Sequence, residues 1–149
     1  MKDFIKAKGI VNLVLTDEFG NVKQELTENL VVSAGLAFIA SRMKDATATV
    51  MSHMAIGTNA TAAAAAQTAL ITELARAALT STTIVTTTVA NDTVQFVATF
   101  AAGSGTGAIV EAGILNASTG GTMLARTVFS VINKGASDSL TITWKVSLA

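Results

Sequence analysis

A chain of 149 residues and 15.2 kDa has the length of one domain and can bury a core without a metal or a disulfide. Ten basic and ten acidic residues leave a net charge of zero, so no overall field draws nucleic acid or anionic lipid. The lack of cysteine excludes thiolate nucleophiles, cysteine-ligated metals and disulfides together, and suits a protein that matures in a reducing cytoplasm.

The N-terminal residues Met1-Lys2-Asp3-Phe4-Ile5-Lys6 contain no apolar stretch of signal-peptide length. Ile10-Val-Asn-Leu-Val-Leu-Thr16 is β-branched and apolar, Asp17-Glu18-Phe19-Gly20-Asn21 supplies turn residues, and Val22-Lys-Gln-Glu-Leu26 follows. This pattern predicts a β-hairpin. Leu36, Phe38, Ile39, Ala40 and Met43 then form one apolar stripe at helical spacing behind Ser33, a candidate N-cap, which predicts a helix over about 34–44. The mostly apolar run 30–43 that contains it is too short to cross a bilayer and is interrupted by Ser33, Ser41 and Arg42.

Residues 45–49 read as a loop and 51–56 as a strand stopped by Gly57. The Ala/Thr-rich run 58–66 reads as a surface loop, and Leu70, Ile71 and Leu74 fit one helical turn. From Thr80 to Val89 the density of Thr, Val and Ile demands a strand, with Asn91-Asp92 as a tight turn into the strand 93–100. Gly103, Gly105 and Gly107 mark a flexible connection. A third hairpin is expected from 108–115 and 123–131 around the turn 116–121. The closing segment alternates strictly: Leu140, Ile142, Trp144, Val146 and Leu148 share one face, Thr141, Thr143, Lys145 and Ser147 the other.

Seven or eight short strands linked by turns predict a single mainly β domain over 1–149, an antiparallel β-sandwich of jelly-roll or immunoglobulin-like type with one short helix. Within it, residues 1–28 read as an N-terminal hairpin arm and 29–149 as the sandwich body. Only 13% of residues are charged, against about 25% in ordinary soluble domains, and mean hydropathy is +0.55. Twelve of the twenty charges precede residue 46, so the rest of the chain is the expected contact surface. Interfaces of permanent oligomers are depleted in charge, and proline, a common guard of exposed strand edges, is absent. Both features point to assembly with other copies.

Little in the chain suggests chemistry. His53 is the single histidine, with no nucleophile-elbow motif to join it, and the carboxylates show no metal-ligand spacing. Gly103, Gly105 and Gly107 lack the Lys-Ser/Thr ending and the helix of a phosphate loop. Symmetric pairing of the third hairpin about Ser118 and Thr119 places Glu111 opposite Arg126, which predicts a structural cross-strand ion pair. With no tyrosine and one tryptophan, Trp144, on the expected core face, neither glycoside cleavage nor sugar stacking is favoured. The expectation is a protein that is not an enzyme, has no cofactor or metal, and binds neither nucleic acid, membrane nor small-molecule substrate.

Asn29-Leu-Val-Val-Ser-Ala-Gly-Leu-Ala-Phe-Ile-Ala40, Met54-Ala-Ile-Gly-Thr58, Glu111-Ala-Gly-Ile-Leu-Asn116 and Leu124-Ala-Arg-Thr-Val-Phe129, the last leading into residues 131–144, resemble stretches of small structural proteins of tailed bacteriophages. The resemblance covers roughly residues 29–149. It implies a β-sandwich virion component made in the bacterial cytoplasm. The first expectation is a capsid cement or decoration protein, homotrimeric and bound to the major capsid protein. The second is a tail, collar or baseplate adaptor related to fibre-attachment domains. The charged N-terminal hairpin is then the expected arm toward the lattice or an adjacent copy.

Overall fold

A computed structural model describes residues 5–148; residues 1–4, the start of the expected arm, and residue 149 lie outside the described residues. In chain order the elements are β1 (Ala7–Thr16), β2 (Val22–Val31), α1 (Ser33–Lys44), β3 (His53–Gly57), β4 (Glu73–Ala78), β5 (Ser81–Val85), β6 (Thr93–Phe100), β7 (Gly107–Leu115), β8 (Met123–Lys134) and β9 (Ser139–Leu148). The mainly β, antiparallel character and the single described helix agree with the sequence reading.

The nine strands form one hydrogen-bonded sheet in the order β4-β3-β7-β8-β2-β1-β9-β6-β5. The sheet curls at β2, which pairs with β1 from Val22 to Asn29 but with β8 only through Leu30↔Arg126 and Val31↔Ala125. The chain also crosses between the two ends of this sheet, which are not hydrogen-bonded to each other, at the opposite corner. The outermost strands β4 and β5 are consecutive in sequence, and between them Leu79 donates to the Ser52 carbonyl while Thr80 donates to that of Val97. A two-residue link thus steps from one end of the strand order to the other.

One apolar cluster fills the curl. Val11 and Leu13 of β1, Phe96, Ala98 and Phe100 of β6, and Leu140, Ile142, Trp144 and Val146 of β9 meet Met54 and Ile56 of β3, Ile109, Ala112 and Ile114 of β7, and Phe129 and Ile132 of β8. The strict alternation of β9 supplies four of these side chains, while Leu148, at the end of the strand, is exposed. Trp144 is completely buried.

Several local expectations are corrected. The N-terminal hairpin, read as an arm over 1–28, is integrated in the sheet: β1 lies between β2 and β9 and pairs with β9 from Ala7 to Thr16. Ser33 is the first helical residue rather than the N-cap; Val32 caps in extended conformation without a side-chain bond, and the Ser33 amide donates to the Ala65 carbonyl at 2.8 Å. Of the predicted helical stripe, Phe38 and Ile39 pack against the core, while Leu36 and Met43 face outward. The helix is held close instead by Gly35, where a Cβ would stand 2.0 Å from the Leu124 carbonyl oxygen of β8. The expected helical turn at Leu70 to Leu74 is instead a bend at 71–72 that leads into β4, which contains Leu74, because pairing with β3 offers the backbone partners that one isolated turn lacks. The tight turn at Asn91-Asp92 is the end of a longer connection, 86–92, between β5 and β6.

Candidate functional site

Glu111 and Arg126 come together, but not in the register that symmetry about the turn suggests. Irregularities on β7 shift the pairing so that Glu111 faces Val128 and Gly113 faces Arg126. The two side chains are therefore diagonal neighbours, and the guanidinium grips one carboxylate oxygen through Nη2 at 2.8 Å and Nε at 3.0 Å. Both are fully buried.

The burial comes from the Ala/Thr-rich segment, which closes over the pair as a lid of backbone. Glu111 accepts from the amides of Asn59 at 3.3 Å, Ile71 at 3.2 Å and Thr72 at 2.9 Å. Arg126 donates through Nη1 to the Thr61 carbonyl at 2.9 Å and to Gln67 Oε1 at 3.1 Å. Gln67 in turn accepts from the Ala64 amide, and Ala65 receives the first amide of α1. One ion pair thus ties together β7, β8, the 58–72 connection and the helix start. Gly57 permits the approach, since a Cβ there would lie 2.4 Å from the Thr72 carbonyl oxygen and 2.5 Å from Glu111 Oε1.

This geometry determines what the pair can do. Five donor atoms already surround the Glu111 carboxylate and no part of it reaches solvent, so it has neither the access nor the spare acceptor positions that general acid–base work requires. Its role is to satisfy the amides of a loop that has little apolar surface of its own. The participants missed in the sequence, Asn59 and Gln67, were marked there all the same. They are the only residues other than Ala, Thr, Leu, Ile or Gly between Gly57 and Thr72.

Other polar groups serve connections too. Arg76 on β4 pairs with Glu73 at 2.7 Å and donates to the carbonyls of Ala117 at 2.8 Å and Gly120 at 2.9 Å, pinning the β7–β8 turn. The Asp92 carboxylate accepts from the amides of Thr87, Thr88 and Val89 at 2.8–2.9 Å, and these bonds hold its pKa well below the usual carboxylate range. Lys134 is buried at the end of β8 and donates to the Ala101 carbonyl at 3.0 Å; burial pushes its pKa below the ordinary lysine value, opposed by the nearby Asp138 charge.

His53 contacts the hydroxyl of the adjacent Ser52 through Nδ1 at 2.8 Å, and among the described residues no carboxylate hydrogen-bonds its ring, so the orienting third member of a relay is missing. Gly103 and Gly105 have positive φ in the connection before β7, as a turn requires, and Gly107, also at positive φ, is the first residue of β7. Among the described residues no three His, Asp or Glu side chains are grouped to hold a metal ion, and no helix is long and apolar enough to cross a membrane.

Among the described residues, two concavities bear on binding. A shallow one of about 320 Å³ is bounded by α1, Ala48 and Thr122. A second, of about 630 Å³, lies where Lys8, Glu28, Lys145 and Ser147 of the sheet meet Thr87 and Thr88. The half-buried Phe38 is the one aromatic side chain among their lining residues, and neither lining places a nucleophile beside a histidine. Compared with known protein families, with curated proteins and with solved structures, the chain matches none.

Proposed function

We propose that this chain is a non-enzymatic structural component of a tailed-bacteriophage virion, a capsid cement or decoration protein that binds the major capsid protein and self-associates, as a trimer at lattice symmetry points. The observation that carries the structural part of the reading is the internal use of its polar chemistry. Of the eight charged side chains after residue 45, Glu111, Arg126 and Lys134 are buried and Glu73 is paired with Arg76. That leaves Asp92, Asp138 and Lys145, so charge is sparse on this part of the surface: the outer row of β6 and β9 runs Thr99, Thr141, Thr143 and Val97 before it reaches Gln95 and Lys145. Such a surface resembles the core of a permanent interface more than the shell of a solitary protein.

The virion setting rests on the resemblance of residues 29–149 to small phage structural proteins. The curled sheet suits a jelly-roll-like sandwich of that kind. A tail, collar or baseplate adaptor is the second reading, supported by the same resemblance, whose Ala-Ile-Gly-Thr and Glu-Ala-Gly-Ile stretches occur in both settings. Quantitative densitometry of purified virions separates the two. A cement protein is expected in hundreds of copies per particle, an adaptor in a few to a few dozen, and absence from particles refutes both.

A further inference from the structure

We infer that the free edge of β5 pairs antiparallel with the β5 of a second copy across a two-fold axis, so that the sheet runs on from one molecule into the next. This two-fold contact is separate from the trimer contact of the proposed function and goes beyond it; it rests on the character of the β5 edge and not on the virion setting. β5 hydrogen-bonds to β6 on one side and ends the strand order on the other. Ser81, Thr82, Thr83 and Ile84 are exposed. A free edge is a row of unpaired amides and carbonyls, and proteins that stay monomeric guard it with charge, proline, a bulge or a covering element.

None of these guards is present at β5. No charged residue occurs between Arg76 and Asp92, and no proline anywhere. The pairing with β6 runs without a bulge from Ser81↔Val97 to Val85↔Thr93. The opposite end of the sheet is treated differently: β4 carries the Glu73–Arg76 ion pair, with the guanidinium anchored on the neighbouring turn.

Two features select a second copy as the occupant. The first is self-complementarity: in any antiparallel pairing of this uncharged segment with itself no like charges meet, and four of its five residues, Thr82, Thr83, Ile84 and Val85, are β-branched. The second is Ile84. It pairs with Val94, which pairs with Val146 of the core, so its side chain has core-facing parity, yet it is 59% exposed. A strand added beyond β5 covers that side chain on the side where the sheet now stops. The edge is about 17 Å long at roughly 3.3 Å per residue, short for the 1,200 Å² or more typical of a stable dimer. The pairing is therefore expected to be weak on its own, with a micromolar Kd, and to gain strength where copies are concentrated.

Because the chain has no cysteine, single cysteines report the contact directly. Cysteines placed in turn at positions 81–85 are expected to give a disulfide-linked dimer under mild oxidation, peaking at one position or two adjacent ones, while Leu74→Cys and Ala77→Cys on β4 do not cross-link. The double variant T83K/I84K puts lysine on both faces of the strand; with an unchanged circular dichroism spectrum it should raise the dimer Kd at least tenfold in sedimentation. Cross-linking at 81–85 no faster than at 74 or 77, or a folded T83K/I84K with unaltered association, overturns the inference. Either result leaves virion membership untouched, and absence from virions leaves the edge pairing untouched.

Discussion

Replacing Arg126 with methionine removes a guanidinium of similar length from a fully buried site and strands the Glu111 carboxylate beside it. Four bonds disappear, two to Glu111, one to the Thr61 carbonyl and one to Gln67. Breaking one side of a buried pair costs about 3–5 kcal/mol, chiefly because the remaining charge stays out of water. For a domain of this size that is a drop in Tm on the order of 10 °C, from a total stability of about 5–15 kcal/mol. The variant is thus expected to fold but to unfold early in urea.

The companion variant E111Q/R126M tests the cause. Glutamine keeps a carbonyl oxygen for the amides of the 58–72 segment but carries no charge, so the double variant should recover about 1–3 kcal/mol relative to R126M, the difference between burying a neutral and a charged group. Urea unfolding followed by circular dichroism measures both. Limited proteolysis supplies a local readout, since the 58–72 segment should become the first cleavage site in R126M. If R126M loses under 1 kcal/mol, or E111Q/R126M is no more stable than R126M, the pair is not the element that holds this segment down.

Asp92 has a depressed folded pKa because three amides bind its carboxylate, so its contribution is fully present above the unfolded value of 3.8 and is lost as pH falls through the lower folded value. Amide exchange in the 86–92 connection should rise at acid pH in the native protein, and in Asp92→Asn it should already be raised at pH 7. Lys134 has the opposite sign. A lysine whose folded pKa lies below 10.5 weakens the fold while charged, and the penalty is relieved as pH rises from the folded value toward 10.5. Lys134→Met should flatten that part of the stability–pH profile, and an unchanged slope contradicts the assignment.

The closing strand shows how much of the fold was legible. The alternation from Leu140 to Leu148 declares one buried face, and it sits in the core from Leu140 to Val146, because a half-buried strand writes its environment in every second residue. The three hairpins were legible for the same reason, through turn residues between apolar runs. The 70–78 region was not. Its Leu70, Ile71 and Leu74 satisfy helical spacing equally well, and only β3, far away in sequence, decides for a strand by offering hydrogen bonds. Nor was the place of the N-terminal hairpin in the sheet legible, because charge density reports a solvated face, whereas strand partners are set by where β9 returns.

The ion pair shows the same division. Residue types and turn position alone bring Glu111 and Arg126 into reach of one another, and the sequence determined that much. Their register, their complete burial and the lid of backbone amides above them were decided by tertiary structure. An Ala/Thr segment carries no periodic signal of what lies beneath it, and its polar backbone must find partners wherever the fold supplies them.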